Sequence, residues 1–341
     1  MSQPIVIAHR GASGYLPEHT LSAYFIAIEQ GADFIEPDLV MSKDGILVAR
    51  HENEISGTTD VARHPRFASR KTTKIIDGEK LTGWFTEDFT LAELKQLRAV
   101  ERLPQLRPGN TRFDRMFEIP TLEEILSLVH DLKIRGRLGG KVGVYPETKH
   151  PSYFQSIGLA MEAKLAETLH RFGYAGREGR VFIQSFEIEN LKALRKLTEL
   201  PLVQLVDDRG QPWDCVLRGE DTSYAQMIEP AGLRRIATYA DAIGANKNLI
   251  IPRTPNHQLG DATTLVSNAH AAGLQVHAWT FRAENHFLPG NLHDSDEASH
   301  NGRLEDEIMA FLATRLDGIF SDHPDFAVRA RELMHEPRRQ G

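Results

Sequence analysis

The stretch IVIAHRGASG, residues 5–14, joins a short apolar run to polar residues and then to glycines. An apolar run bounded by polar or turn residues predicts a buried β-strand. The same arrangement recurs along the chain, in the runs Phe34–Val40, Ile46–Ala49, Val142–Tyr145, Val181–Ile183, Leu202–Val206, Leu249–Ile251 (or Ala242–Ala245), Gln275–Thr280 and Gly318–Phe320.

Amphipathic helical segments separate these runs. Leu21, Phe25 and Ile28 recur at helical spacing, and Gly31 follows them as a predicted C-cap. Capping-box patterns, such as Thr121 with Glu124, begin other segments. Strands that alternate with helices favour parallel pairing. About eight such units predict an α/β fold of the TIM (β/α)8 barrel type, and a doubly wound sheet is the alternative.

One long stretch interrupts this alternation. Residues 52–118 are polar, basic in patches and poor in strand-like runs. We interpret them as an insertion that lies over the barrel mouth. The predicted catalytic barrel domain then comprises residues 1–51 and 119–330.

Composition excludes several classes of protein. Hydrophobic residues make up 41% and charged residues 26% of the 341 residues, as in globular proteins. The formal net charge of −7 argues against a nucleic-acid partner. A single cysteine, Cys215, cannot form an internal disulfide.

The sequence contains no apolar run long enough to predict stable membrane insertion. No signal peptide is visible, so we expect the cytoplasm, or the periplasm if a leader has been removed. The sequence indicates no oligomeric state.

Acidic side chains follow or interrupt two of the predicted strands. Glu36 and Asp38 are two residues apart, so they face the same side of a strand, and Glu147 follows another apolar run. The active site of a parallel barrel lies at the carboxyl ends of its strands. Carboxylates that converge there repel one another unless a proton or cation intervenes. Oxygen ligands predict one divalent cation, Ca²⁺ or Mg²⁺. Solvated carboxylates at strand ends are the alternative.

Two histidines occupy similar positions. His9 follows the first apolar run and His51 follows a hairpin-like run. Each can exchange a proton near neutral pH, so they form a candidate acid–base pair for phosphodiester cleavage. A structural role for each histidine is the alternative. The candidate substrate-binding residues at other strand ends are Arg10, Lys149, Gln184 and Trp279.

Several spaced motifs resemble the glycerophosphodiester phosphodiesterase family. They are HRGASGYLPEHT at residues 9–20, GADFIEPDL at 31–39, FEIPTLEE at 117–124, YPETK at 145–149, QSF at 184–186, WT at 279–280 and DGIFSDHP at 317–324. The long insertion and the wording around residues 16–20 look like the larger, periplasmic-type bacterial branch. His19 stands where the family usually has asparagine, and we expect little effect on the chemistry.

The resemblance implies a TIM barrel with the insertion after the second strand, and one divalent cation held by Glu36, Asp38 and Glu147. It implies that His9 and His51 are the acid–base pair, with Arg10 and Lys149 at the phosphate. The implied products are glycerol 3-phosphate and an alcohol such as choline or ethanolamine, formed through a cyclic phosphate. Two alternatives remain: a phospholipase D-like enzyme that acts on lysophospholipids, and a non-catalytic glycerophosphodiester-binding protein.

Overall fold

The computed structural model describes residues 3–134 and 142–335. Most of its strands belong to one curled sheet, and β5 and β6 form a separate hairpin. The strands are β1 (Ile5–His9), β2 (Phe34–Glu36), β3 (Asp38–Met41), β4 (Leu47–Ala49), β5 (Thr72–Ile76), β6 (Glu79–Gly83), β7 (Gly143–Val144), β8 (Glu147–Thr148), β9 (Ile183–Ser185), β10 (Leu202–Val206), β11 (Ala242–Asn246), β12 (Gln275–Phe281) and β13 (Gly318–Ser321).

The parallel sheet closes on itself, and two of its strands are each divided into short segments. Pro37 separates β2 from β3, and residues 145–146 separate β7 from β8. Backbone pairing nevertheless continues across both interruptions, since the Glu147 N–H donates to the Pro37 carbonyl at 2.9 Å. β1 pairs with both β2 and β13, while β3 continues through β8 to the remaining strands. The described residues therefore form eight barrel positions, which confirms the predicted TIM barrel.

Helices cover the outside of this barrel. They are α1 (Leu21–Glu29), α2 (Leu91–Leu94), α3 (Leu122–Ile134), α4 (Pro151–Ser156), α5 (Glu162–Arg171), α6 (Ile188–Arg195), α7 (Trp213–Arg218), α8 (Tyr224–Met227), α9 (Pro230–Ile236), α10 (Leu265–Ala271), α11 (Leu304–Leu312) and α12 (Pro324–His335). The capping box that begins α3 is present, since Thr121 N–H donates to Glu124 and Glu124 N–H donates back to the Thr121 hydroxyl.

The run Leu249–Ile251 was wrong as the first choice for a strand. Residues Lys247–Leu249 form a turn of 3₁₀ helix, and the sixth barrel strand is β11, the alternative run. β11 contains Gly244, at which a Cβ would lie 2.5 Å from the side chain of Leu205. Close packing inside the barrel therefore favours a small residue there, and this weakens the hydrophobic pattern of the true strand.

Residues 52–118 contain the β5–β6 hairpin, α2 and short 3₁₀ segments between β4 and α3. Their division from the barrel as a separate unit stays a prediction. Within the described parts of the chain, no helix is both long and apolar enough to span a bilayer.

An aromatic and aliphatic layer fills the barrel below its mouth. Ile7, Phe34, Tyr145, Val203 and Phe320 come from different strands and pack together there. Such a layer closes the barrel as a packed core rather than a pore. The polar side chains that follow this layer, toward the carboxyl ends of the strands, consequently lie at the mouth of the barrel.

Candidate active site

One cleft of about 260 Å³ lies at the carboxyl ends of the strands. Every candidate residue except Asp38 lines this cleft, namely His9, Arg10, Glu36, His51, Glu147, Lys149, Gln184 and Trp279. Asp38 lies in the cleft's acidic cluster and is only 1% exposed. The barrel therefore brings together side chains that are up to 270 residues apart in sequence.

The three carboxylates meet because of the strand register. Glu36 pairs with His9 across β1 and β2, and Asp38 pairs with Glu147 across β3 and β8. Glu147 in turn pairs with Gln184 on β9. Ligand oxygens of Glu36, Asp38 and Glu147 all lie within 4.8 Å of one another, and all three residues are buried. The arrangement is compact enough for one cation to contact all three.

The electrostatics of this cluster favour a cation or a retained proton. Burial, together with the charges of Asp38 and Glu147, raises the pKa of Glu36 well above its ordinary value. Burial also raises the pKa of Glu147 to about 8, although Lys149 opposes the change. Burial alone would raise the pKa of Asp38, but the hydrogen bond from His19 and neighbouring positive groups hold it well below its usual range. Three acidic groups thus share one buried site, where they repel one another unless a cation or a proton intervenes.

The donor set fits a hard divalent cation. Asp38 Oδ2 accepts from His19 Nε2 at 2.9 Å, while Asp38 Oδ1 is buried and has no hydrogen-bond partner within residues 3–134 and 142–335. A buried carboxylate oxygen without a partner is costly unless a ligand satisfies it. Together the three carboxylates supply oxygen ligands only, as Ca²⁺ and Mg²⁺ prefer.

A carboxylate holds the ring of His9. Its Nδ1 lies 2.6 Å from Asp322 Oδ1 on the segment that follows β13. Burial and the Arg10 charge lower the pKa of His9 to about 4, despite the opposing effect of Asp322. The neutral ring therefore donates from Nδ1 and leaves Nε2 available as a base.

His51 has a similar arrangement. Its Nδ1 hydrogen-bonds to Glu52, and its Nε2 lies 3.3 Å from Lys149 Nζ. Burial and the charges of Arg10 and Lys149 lower the pKa of His51 to about 3. Because an ammonium group can only donate, Nε2 of His51 is the accepting nitrogen in this arrangement.

Arg10 and Gln184 both contact the acidic cluster. The backbone N–H of Arg10 donates to Glu36 Oε2 at 2.8 Å, and Gln184 Nε2 donates to Glu36 Oε1 at 3.0 Å. The Arg10 guanidinium reaches Glu18 at 3.0 Å. Arg10 and Gln184 therefore orient Glu36 and also line the cleft. That they contact the substrate stays a prediction.

Trp279 forms part of an aromatic wall. Its Nε1 donates to the Gly244 carbonyl at 2.9 Å, and its ring meets the Phe186 ring edge-on at 5.9 Å. Phe186 lines the same cleft, and the Lys149 ammonium group lies 5.8 Å from its ring centroid. This side of the cleft offers apolar surface to a bound molecule.

Sequence reasoning missed several residues that support the site. Asp322 lies in the quoted DGIFSDHP motif, but nothing in its local pattern pointed to His9. His19, from which the sequence predicts little effect on the chemistry, bridges Asp38 and the Tyr24 hydroxyl. Glu52 is different, because an acidic residue directly after His51 is a local sequence signal for a carboxylate that hydrogen-bonds to this histidine.

Comparison with known proteins gives consistent results. The sequence profile of the glycerophosphoryl diester phosphodiesterase family matches residues 9–326. A glycerophosphodiester phosphodiesterase of Arabidopsis thaliana is 40% identical over 301 residues, which is 84% of this chain and 77% of that protein.

Solved structures support the same fold. A putative glycerophosphoryl diester phosphodiesterase from Silicibacter pomeroyi has a TM-score of 0.68 at 23% identity, covering 98% of this chain and 94% of its own. An Oleispira antarctica phosphodiesterase in complex with the product sn-glycerol-3-phosphate has a TM-score of 0.62 at 22% identity, with 97% of each chain covered. The family and the enzyme class that the motifs indicated are confirmed by the profile and the Arabidopsis relative, and this chain belongs to the glycerophosphoryl diester phosphodiesterase family.

Proposed function

We propose that this protein hydrolyses glycerophosphodiesters, such as glycerophosphocholine or glycerophosphoethanolamine, to glycerol 3-phosphate and an alcohol. The observation that carries the proposal is the meeting of His9 and His51 with a buried trio of carboxylates in one cleft. The Oleispira relative, which was solved with sn-glycerol-3-phosphate, supports the product assignment.

The acidic trio is the proposed cation site. Glu36, Asp38 and Glu147 would hold one Ca²⁺ or Mg²⁺ ion, which would supply a Lewis acid beside the phosphoryl group. Arg10 and Lys149 add fixed positive charge at the same cleft. These groups offset the negative charge that builds up on the phosphoryl oxygens during attack.

The two histidines move the protons. One histidine is neutral and accepts the proton of the glycerol 2-hydroxyl group as its oxygen attacks phosphorus. The other takes up a proton from solvent when the anionic diester binds beside it, and donates that proton to the departing alcohol oxygen. A cyclic phosphate and the free alcohol result. Water then opens the ring with the two roles exchanged, which yields glycerol 3-phosphate and restores both histidines.

Release of glycerol 3-phosphate from glycerophosphocholine tests the activity. We expect the purified protein to release it together with choline, to lose this activity in a chelator, and to regain it when Ca²⁺ or Mg²⁺ is restored. Lysophosphatidylcholine, assayed in parallel, separates the soluble substrate from a lysophospholipid. Faster turnover of the lysophospholipid, or binding of either compound without hydrolysis, would overturn the proposal.

A substrate analogue tests the route. A diester whose glycerol part lacks the 2-hydroxyl group keeps the phosphate and the alcohol but has no internal nucleophile. We expect the analogue to inhibit competitively and to release no alcohol. Release at a rate near that of the normal diester would show that water, rather than the 2-hydroxyl, attacks first.

A further inference from the structure

Two arginines reach the active site from residues 101–110, here called the strap. Arg107 donates from Nη2 to Asp322 Oδ2 at 2.6 Å and from Nη1 to the Ser13 carbonyl at 2.8 Å, and its Nε bonds to Glu284. Its side chain is only 6% exposed. All of these hydrogen-bond partners of Arg107 are buried residues.

Asp322 joins Arg107 to His9. Its Oδ1 lies 2.6 Å from His9 Nδ1, while its Oδ2 accepts from Arg107 and also from Arg282 at 3.0 Å. An ionised carboxylate only accepts hydrogen bonds, so the contact places the imidazole proton on Nδ1. Nε2 of His9 is thereby left free for the substrate.

Arg102 forms a second connection, to His51. It binds Glu52 through two hydrogen bonds of 3.0 and 2.6 Å and binds Glu18 through two more of 2.8 and 2.6 Å. Glu52 in turn accepts from His51 Nδ1. Lys149, at 3.3 Å from Nε2, requires the same tautomer, because an ammonium group cannot accept.

The strap thus holds one carboxylate behind each histidine. Arg102 pairs with Glu52 through two parallel hydrogen bonds, an arrangement that fixes orientation as well as charge, whereas Arg107 donates one hydrogen bond to Asp322. In histidine–carboxylate pairs the carboxylate sets both the tautomer and the ring orientation. The two connections are separate, since Arg107 contacts neither Glu52 nor His51 in the described chain.

We propose that Arg102 and Arg107 are positioning residues, each of which holds the carboxylate that fixes the tautomer and orientation of one active-site histidine. This inference rests on the proposed function, because it assumes that both histidines exchange protons with the substrate. It assigns the strap a part in the reaction beyond covering the barrel.

Histidine tautomers measured by nitrogen-15 NMR provide a readout that does not depend on activity. Signals of His9 and His51 would be identified by their loss in His9→Ala and His51→Ala. We expect Arg107→Met to change the tautomer population of His9 alone and Arg102→Met to change that of His51 alone. Arg112→Met, at an exposed arginine next to the strap, is the matched control and should change neither.

Kinetics of the cation-loaded enzyme provide the second readout. We expect each strap variant to lower kcat roughly 10- to 100-fold while KM changes little, as for other residues that orient histidines through a partner. Arg107→Lys keeps the charge and one donor, so it should recover part of the loss. Arg112→Met should match the parent enzyme.

The outcomes separate the inference from the proposed function. If the parent enzyme releases no glycerol 3-phosphate, the proposed function fails, while the NMR result still decides whether the strap sets the tautomers. Unchanged tautomers in both strap variants, or equal changes of both histidines in each variant, would overturn the inference. If Arg107→Met does not fold, Arg107→Lys and Asp322→Asn test the His9 connection with smaller changes of shape.

Discussion

Replacing Glu147 with glutamine should make the cation-free protein more stable and abolish its response to the cation. The amide oxygen of the new side chain can still accept from Lys149, which now bonds to Glu147 at 2.8 Å. The amide N–H group can donate towards Asp38, whose charge now raises the pKa of Glu147. The substitution therefore keeps the shape of the site and removes one of three competing acids.

The size of the effect follows from the pKa of Glu147. Burial raises this pKa from 4.5 to about 8, so at pH 7 the folded protein holds a proton that the unfolded chain has released. Uptake of this proton on folding lowers the free energy of unfolding by about 3 kcal/mol at pH 7, which lies 2.5 pH units above the ordinary pKa. Stability of the cation-free parent consequently falls as the pH rises from about 4.5 to about 8, and Glu147→Gln lacks this decline.

The corresponding shift in melting temperature can be measured. Unfolding entropy scales to about 0.7 kcal/mol per kelvin for 341 residues, so about 3 kcal/mol raises Tm by about 4 °C. Cation at about 100 times its Kd stabilises the parent by about 2.7 kcal/mol, a similar shift. We therefore expect Glu147→Gln to melt above the parent in chelator and to gain nothing from Ca²⁺ or Mg²⁺.

Scanning calorimetry at pH 7, with chelator or with cation, decides this prediction. Glu187→Gln is the matched control, because burial also raises the pKa of Glu187, to about 7, and this residue hydrogen-bonds to Ser152 outside the acidic trio. That variant should keep the parent's full response to the cation. The reasoning is refuted if Glu147→Gln melts below the parent in chelator and still gains the parental increment.

Three further predictions concern histidines. His51→Ala should lower kcat by roughly 10²- to 10⁴-fold in the glycerol 3-phosphate assay, and His170→Ala, at an exposed histidine, should not; near-normal turnover of His51→Ala would exclude the two-histidine mechanism. Burial lowers the pKa of His277 to about 4 from 6.5, so the folded state resists a proton that the unfolded chain takes up, and stability should fall as the pH drops from about 6.5 to about 4. The free energy of unfolding, measured in urea, should fall by about 2–3 kcal/mol less in His277→Phe than in the parent over this pH range. An unchanged pH dependence would contradict the assignment. His19→Ala removes the donor to Asp38 and should weaken cation affinity roughly 10- to 100-fold by calorimetric titration, whereas equal affinity would show that His19 does not orient the ligand.

The sequence was sufficient to predict the residues at the strand ends. Glu36, Asp38 and Glu147 each follow or interrupt an apolar run, and the parallel barrel places the carboxyl ends of all its strands at one mouth. Register then follows from strand pairing, which sets Asp38 opposite Glu147. These side chains converge because each is fixed by the strand that carries it, while their roles in the reaction stay predictions.

The supporting contacts could not be predicted in the same way. Arg107 and Asp322 are 215 residues apart, and their contact depends on the path of the strap, which has no periodic pattern. The sixth strand was also ambiguous, since Gly244 weakens its pattern while the neighbouring Leu249–Ile251 run is more apolar. In both cases tertiary packing, rather than local sequence, decides the structure.

Diffraction from crystals soaked with Mn²⁺, as an anomalous substitute for Mg²⁺, and with glycerol 3-phosphate would test the proposed centre most directly. We predict one anomalous peak within coordination distance of Glu36, Asp38 and Glu147, with the phosphate between it and the imidazoles of His9 and His51. A cation bound elsewhere, or a phosphate out of reach of both imidazoles, would contradict the proposed mechanism.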